Sequence, residues 1–381
     1  MKKLLKKILP LLLFFSLMIQ GVAPAKCSAA VTTTARTYFV STSGNDRANG
    51  TFRRPFKTIQ KAANMAKAGD TVYIRGGVYR ERVTVKSSGS AGRIITFRSY
   101  PGERVTMDGA TVALPYYYPL FDVSSHSYLH IQGLRIINSA GQGIGDVWGQ
   151  YDNGFITIKD VQTYRTKISG VHFYNAHNIV IDNVTIDTAN LTPDQESLTL
   201  AGVNGFEIKN STVINAQKEG IDVKDGSKNG KIINNTVKNA RLGSGLAIYV
   251  DGARKGASNI EISGNTVDNA IQGIVVASEL GGTVSNIQIL DNQIRDTKHG
   301  LQIAGWGHIS GGSHPMSNIS ISGNNTSGRM GINLILSNKD AKAVTITDNV
   351  FWGNSSTVSL SIIGKIPMSE YVMERNTMIN R

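Results

Sequence analysis

The sequence predicts an all-β fold, a single-stranded parallel β-helix whose N-terminal end is closed by a helix. Three observations predict it. A short apolar pattern centred on Asn recurs at intervals of 24–32 residues through the second half of the chain. Glycine is abundant, 40 in 381 residues, which suits many tight turns and few long helices. One amphipathic helical segment stands just before the first repeats, where a stack of coils needs its open end covered. With 40% hydrophobic and 18% charged residues, disorder is excluded. A single Cys excludes a disulfide scaffold or a Cys-based zinc ribbon.

In chain order the first element is a leader. Lys2, Lys3, Lys6 and Lys7 are followed by a mostly apolar stretch from Ile8 to Val22, then by small residues at Ala23, Ala25 and Ala29. This order predicts a secretory signal over residues 1–30 and a secreted mature domain over 31–381. The stretch is short, and Pro10 and Gln20 interrupt it, so no stable membrane insertion is expected. The formal charge is +13, and the leader holds five Lys and no acid, so the mature chain carries 13 − 5 = +8. A basic exported protein attracts polyanions. No Lys/Arg-dense helix or nucleic-acid module is present, so the expected partner is an acidic polysaccharide and not nucleic acid. The chain is expected to act as a monomer.

Residues 58–68 have helical apolar spacing and are assigned as the cap. Asp70–Arg75, Val83–Val85 and Ile94–Phe97 read as the first coils. From residue 170 to 381 the repeats are clearest. They include Ile181–Ile186, Ile208–Val213, Ile232–Val237, Ile262–Val267, Ile289–Ile294 and Ile346–Phe351, with degenerate copies at Ile321–Thr326 and Met373–Met378. Each copy is an alternating strand with a bend at Asn, which tolerates the left-handed backbone. Asn stacked on Asn in successive coils can hydrogen-bond its neighbour. A second strand, often opening on Gly, precedes each copy, as in Gly170–Tyr174, Gly220–Lys224 and Gly273–Ala277. No coil buries its apolar side alone, so stacked coils must share one interior.

Tyr38–Asp46, Pro55–Ala62 and Gly69–Tyr79 resemble the start of secreted right-handed β-helix proteins, among them bacterial pectate lyases and related polysaccharide lyases. The resemblance implies a right-handed coil and carbohydrate chemistry.

Strand alternation says which side chains leave the core. If Ile221, Val223, Ile248 and Val250 point in, then Asp222, Lys224, Tyr249 and Asp251 point out. One outward ladder is predicted to run His172, Thr199 or Ser197, Asp222, Tyr249, Val275, Gln302; its parallel runs Tyr174, Lys224, Asp251, Ala277, Ala304. Glu196, Glu219 and Glu279 fall near the strand ends, and Arg254 follows the Asp251 turn. This set suits β-elimination on a uronate polymer. A cation must neutralise the carboxylate, a base must take the C5 proton, and an acid must protonate the leaving oxygen. Lys224 and Tyr249 are the candidates for base and acid, in either order, with Asp222 beside them. Glu219, Asp222 and Asp251 are the candidates to hold Ca²⁺. Arg254, His172, Tyr174 and Glu279 are candidates to bind substrate, and the loop aromatics Trp148 and Tyr151 to stack on sugars.

Lys218–Ser227 is similar to a segment of the cation-dependent alginate and chondroitin lyases of β-helix fold. The similarity implies that Glu219 and Asp222 hold calcium and that Lys224 is the base. Two other readings stay open. A glycoside hydrolase would use Asp222 with Asp251 or Glu279. A glycan-binding surface protein would keep the ladder without chemistry.

Overall fold

The computed structural model describes residues 34–381, except 148, 150–151, 193–195, 308–311, 354–366 and 381. The leader, Trp148 and Tyr151 therefore lie outside the described residues, as does most of the link into the last coil.

Each coil contributes three short strands, and the strands stack in parallel into three faces. The first face holds thirteen strands, from Thr37–Val40 to Tyr371–Glu374. The second begins at Gly77–Tyr79 and ends at Thr377–Asn380. The third includes Val171–Tyr174, Leu198–Ala201, Ile221–Lys224, Leu246–Asp251 and Gln272–Glu279. Two long strands, Gln293–Trp306 and Asn325–Leu336, turn the corner between the second and third faces and merge them into one 20-stranded sheet.

The interior follows from the alternation. Ile260 stacks on Ile287 and Ile287 on Ile319, while Ile262 stacks on Ile289 and Ile289 on Ile321, all buried. Each such side chain contributes roughly 1.5–3 kcal/mol on leaving water. The bend between first and second faces has two parts. One residue takes the left-handed backbone: Asn183 (φ 54°), Asn210 (φ 53°), Asn234 (φ 55°), Asp291 (φ 55°) or Asp348 (φ 59°). Gly264 and Gly323 fill the same place at φ 63° and 68°. The following residue then turns inward, and here the expected Asn stack forms. Asn235, Asn265, Asn292, Asn324 and Asn349 each pass a side-chain N–H to the next amide oxygen at 2.9–3.0 Å, the last of them to Asn376. The same oxygens accept the neighbouring backbone N–H groups.

Asn292 sits mid-ladder. Asn292→Ala leaves the Asn265 backbone N–H without its acceptor and takes one of two bonds from the Asn265 side-chain amide, which keeps the Ile232 carbonyl, so a loss of about 2–4 kcal/mol is expected. Urea unfolding checks this: the midpoint falls while the slope stays constant.

The cap helix spans Ile59–Met65, shorter than the expected 58–68 because Ala66 already has extended backbone. Thr58 caps it, accepting from the Lys61 N–H. Glu81 accepts from the N–H groups of Ile59 and Gln60, and Asp46 from those of Lys57 and Thr58. Ile59, Ala62 and Ala63 are buried over the end of the coil stack. Among the described residues no helix is long and apolar enough to cross a membrane.

Candidate active site

The third face carries the predicted ladders, and of Thr199 and Ser197 it is Thr199 that stands between His172 and Asp222. His172 pairs with Thr199, Thr199 with Asp222, Asp222 with Tyr249, Tyr249 with Val275 and Val275 with Gln302. On the parallel ladder Ala201 stands between Tyr174 and Lys224, and then Asp251, Ala277 and Ala304 follow. The exposure differs from the expectation. His172, Asp222, Tyr249 and Asp251 are buried. Leu246, Tyr249, Val275, Ala277 and Ala304 form a second apolar cluster outside the coil, with Trp306 against it. Alternation gives the direction of a side chain, not what lies above it.

Lys224 is the centre of the cluster. Its Nζ lies 2.7 Å from Glu196 Oε1 and 3.0 Å from Asp222 Oδ2. Lys218 Nζ lies 3.2 Å from Glu219 Oε2 and 3.8 Å from Glu196 Oε1. Glu196 also accepts from Thr199 Oγ1 at 3.0 Å, and Glu219 from Ser244 Oγ at 2.7 Å. Glu196 is the functional candidate to which sequence reasoning gave no role. The signal for it was the coil step: Thr199 lies opposite Asp222, so the same step of 23 residues sets Glu196 against Glu219.

One ammonium cannot neutralise two buried carboxylates, and the shorter contact decides between them. Burial alone would push Glu196 up, but the Lys224 charge and hydrogen bond, with help from Lys218, hold it below the usual range. Asp222 goes the other way. Burial pushes it well up, Lys224 only partly opposes this, and Glu196 adds repulsion. Its Oδ1 is buried with no hydrogen-bond partner. Burial and the neighbouring Glu279 raise Asp251 to about 7. Burial and Glu196 raise Glu219. Burial opposes the charge on Lys224, yet Asp222 and Glu196 override it and push its pKa well up. Burial, then Asp251 and Glu279, raise Tyr249, whose hydroxyl donates to Glu279 Oε2 at 2.7 Å. Lys224 and Tyr249 are thus held protonated, which suits charge neutralisation and proton donation but not proton abstraction.

The expected calcium ligands do not fit one cation as placed. Glu219 lies two residues before the strand Ile221–Lys224, while Asp251 pairs with Lys224 at the far end of that strand. The strand alone spans roughly 10 Å from Ile221 to Lys224, whereas Ca²⁺ needs its oxygens within about 2.6 Å. Among the described residues no group of three or more His, Cys, Asp or Glu side chains is placed to hold a metal. The Lys224 ammonium takes the place between Glu196 and Asp222.

The remaining candidates flank this centre. His172 Nδ1 lies 3.2 Å from Asp146 Oδ1, two coils before Asp222. Asp146 also accepts from the Tyr174 N–H and from Asn153, and burial raises its pKa against those bonds. Tyr174 has the Lys255 ammonium 5.9 Å from its ring. Arg254 is exposed at the edge of the cluster. Trp306, a further aromatic beside the ladder, lies with its ring centre 5.7 Å from that of Tyr249.

Residues 38–185 match the family described as "Pel9A-like, right handed beta helix region", and residues 142–324 and 196–365 match "Right handed beta helix region". The chain is 33% identical over 362 residues to YwoF, an uncharacterized protein of Bacillus subtilis, covering 84% of this chain and 75% of that one. A hyperthermoactive exopolygalacturonase from Thermotoga maritima superposes with a TM-score of 0.63 at 11% identity, covering 84% of this chain and 86% of its own. An alginate lyase from Paenibacillus superposes with a TM-score of 0.54 at 16% identity, covering 80% and 99%. The fold is thus shared with both a hydrolase and a lyase, and this chain belongs to the right-handed β-helix family, with a Pel9A-like N-terminal part.

Proposed function

We propose that this chain is a secreted enzyme that cleaves an acidic polysaccharide at the carboxyl cluster around Lys224. One observation carries the reading. On successive coils the protein gathers Glu196 and Asp222 around the Lys224 ammonium at 2.7 and 3.0 Å with Asp251 on the next coil, and their surroundings drive them apart, Glu196 below the usual carboxylate range, Asp222 well above it and Asp251 up to about 7. Carboxyl groups driven apart in pKa mark acid and base roles.

The geometry supports hydrolysis best. Asp222 pairs with Tyr249, and Asp251 lies two residues beyond Tyr249 on that strand. Adjacent coils are about 4.8 Å apart and two residues span about 6.6 Å, so the two backbones are roughly 8 Å apart. Inverting glycosidases hold their carboxyl groups about 6.5–9.5 Å apart. Asp222 would protonate the glycosidic oxygen, and Asp251, once ionised, would take a proton from the attacking water. Lys224 and the exposed Arg254 offer positive charge to a uronate, and Trp306 an aromatic face to a sugar ring.

Elimination is the second reading, favoured by the Pel9A-like match and by Lys224 lying diagonal to Tyr249. In it Lys224 neutralises the uronate carboxylate, Asp251 takes the C5 proton and Tyr249 donates to the leaving oxygen.

Incubation of the mature protein with polygalacturonate, alginate, chondroitin and hyaluronan tests both. New reducing ends without ultraviolet absorbance are the expected result. Reducing ends accompanied by absorbance of a C4–C5 double bond would establish elimination instead. Folded protein that cleaves none of the four polymers would overturn the proposal.

A further inference from the structure

The charge of the mature chain is concentrated at one end. Residues 35–104, the cap and first coils, hold 14 Lys and Arg against 4 Asp and Glu, a net +10. Residues 105–381 hold 21 against 23. The four acids of the basic segment are already engaged. Asp46, Asp70 and Glu81 accept backbone N–H groups around the cap helix, and Glu103 takes the Gly76 N–H and Arg75. Arg75, Arg80 and Arg82 have ion pairs.

Three arginines of this segment are placed differently. Arg47, Arg53 and Arg54 line one open cavity of about 270 Å³ with Ser43, Asn45 and Pro55. Among the described residues none of the three has a carboxylate within ion-pair distance. The walls are held by backbone bonds: Asn45 N–H to Pro55 O at 3.0 Å, Arg54 N–H to Thr51 O at 3.0 Å and Gly50 N–H to Arg54 O at 3.1 Å. Gly44 is packed so closely on the Phe56 carbonyl that no larger residue fits there. The three guanidinium groups therefore project from a fixed loop. Beside them Phe52 is 50% exposed and packs edge-on against Phe39, with Tyr100 in the same cluster.

We infer that this cap is a second, non-catalytic polysaccharide site that grips the carboxylates of an acidic glycan with Arg47, Arg53 and Arg54. Guanidinium forks match planar carboxylates in two hydrogen bonds, where an ammonium gives only a point charge. A fixed cluster of like charge with no internal counter-ion costs Coulomb repulsion, which an incoming polyanion relieves. The exposed ring of Phe52 adds a stacking surface for a pyranose and so favours an acidic sugar chain over other polyanions. The ligand class follows from the proposed function, but the binding event does not depend on chemistry at Lys224.

The test is binding of the mature protein to polygalacturonate, measured by calorimetry at low salt on the Asp251→Asn background, with Arg47→Ser/Arg53→Ser/Arg54→Ser as the comparison. All three side chains are exposed, so the variant is expected to fold, and its circular dichroism and melting point should match the parent. The expected result is at least a tenfold weaker Kd in the triple variant, and a similar weakening of the parent at high salt. Phe52→Ala is expected to weaken polygalacturonate binding several-fold and to leave inorganic polyphosphate binding unchanged. Equal affinity of triple variant and parent would overturn the inference. So would equal effects of Phe52→Ala on both polymers, because the site would then read charge alone. If the polymer binds at the arginines but is never cleaved, this inference stands and the proposed activity falls.

Discussion

Asp251→Asn is expected to lower kcat/KM by about 10²–10⁴-fold, the usual contribution of a positioned acid or base. The parent's activity should rise with pH through about 7, as Asp251 ionises and becomes able to accept a proton. The variant should lose that limb. A stability change of opposite sense should accompany the loss. Because the folded pKa lies above the ordinary 3.8, the folded protein holds a proton that the unfolded chain releases between those values. The stability this group contributes is whole below pH of about 4 and is lost as pH rises to about 7. Asn carries no charge at any pH, and its amide oxygen can still accept from the Ala253 N–H, as Asp251 does at 2.7 Å. At pH 8 the variant should therefore be more stable than the parent by roughly 1–3 kcal/mol. Thermal unfolding at pH 5 and pH 8 checks this; a variant that is active, or less stable at pH 8, would refute the role given to Asp251.

Lys224→Met should have the largest effect on folding. It removes the ammonium that lies 2.7 Å from Glu196 and 3.0 Å from Asp222, and both carboxyl groups are buried. Breaking a buried pair by removing one partner costs about 3–5 kcal/mol, because the other charge stays behind without compensation. The loss should be largest at pH 8 and smaller at pH 5, since without Lys224 burial raises Glu196 and lets it take up a proton. Adding Glu196→Gln to Lys224→Met should restore much of the stability, as the uncompensated charge is then gone. Urea unfolding of the single and double variants measures it. A double variant no more stable than Lys224→Met would show that the charge is not the cause. Neither variant should cleave polymer, because Lys224 also supplies the positive charge facing the substrate.

The ladder was legible in the sequence because side chains alternate with period two and the coils repeat. Once Ile221 and Ile248 are set inward, Asp222 must meet Tyr249 and Lys224 must meet Asp251. The Asn stack was legible for a related reason. The Asn of each repeat recurs at the same bend, so the coil period sets one Asn directly on the next. Glu196 was given no role because it lies outside the strand, where alternation gives no rule, and outside the Lys218–Ser227 segment whose similarity singled out Glu219. Glu219, Asp222 and Asp251 were grouped because stacked coils bring them to one face, but alternation and the coil step do not say how far apart along that face their oxygens lie.

The sequence by itself determined the coil, its period, its inward face and which polar residues share a ladder. These are local matters, settled by the side-chain period of a strand and the backbone preferences of Asn and Gly. Only the tertiary structure decided the ionisation of the cluster. Whether Asp222 holds a proton depends on how deeply it is buried and on Lys224 lying nearer to Glu196. Desolvation and Coulomb energies change over a few tenths of an ångström and a single layer of covering atoms. No residue pattern along a chain encodes distances that fine.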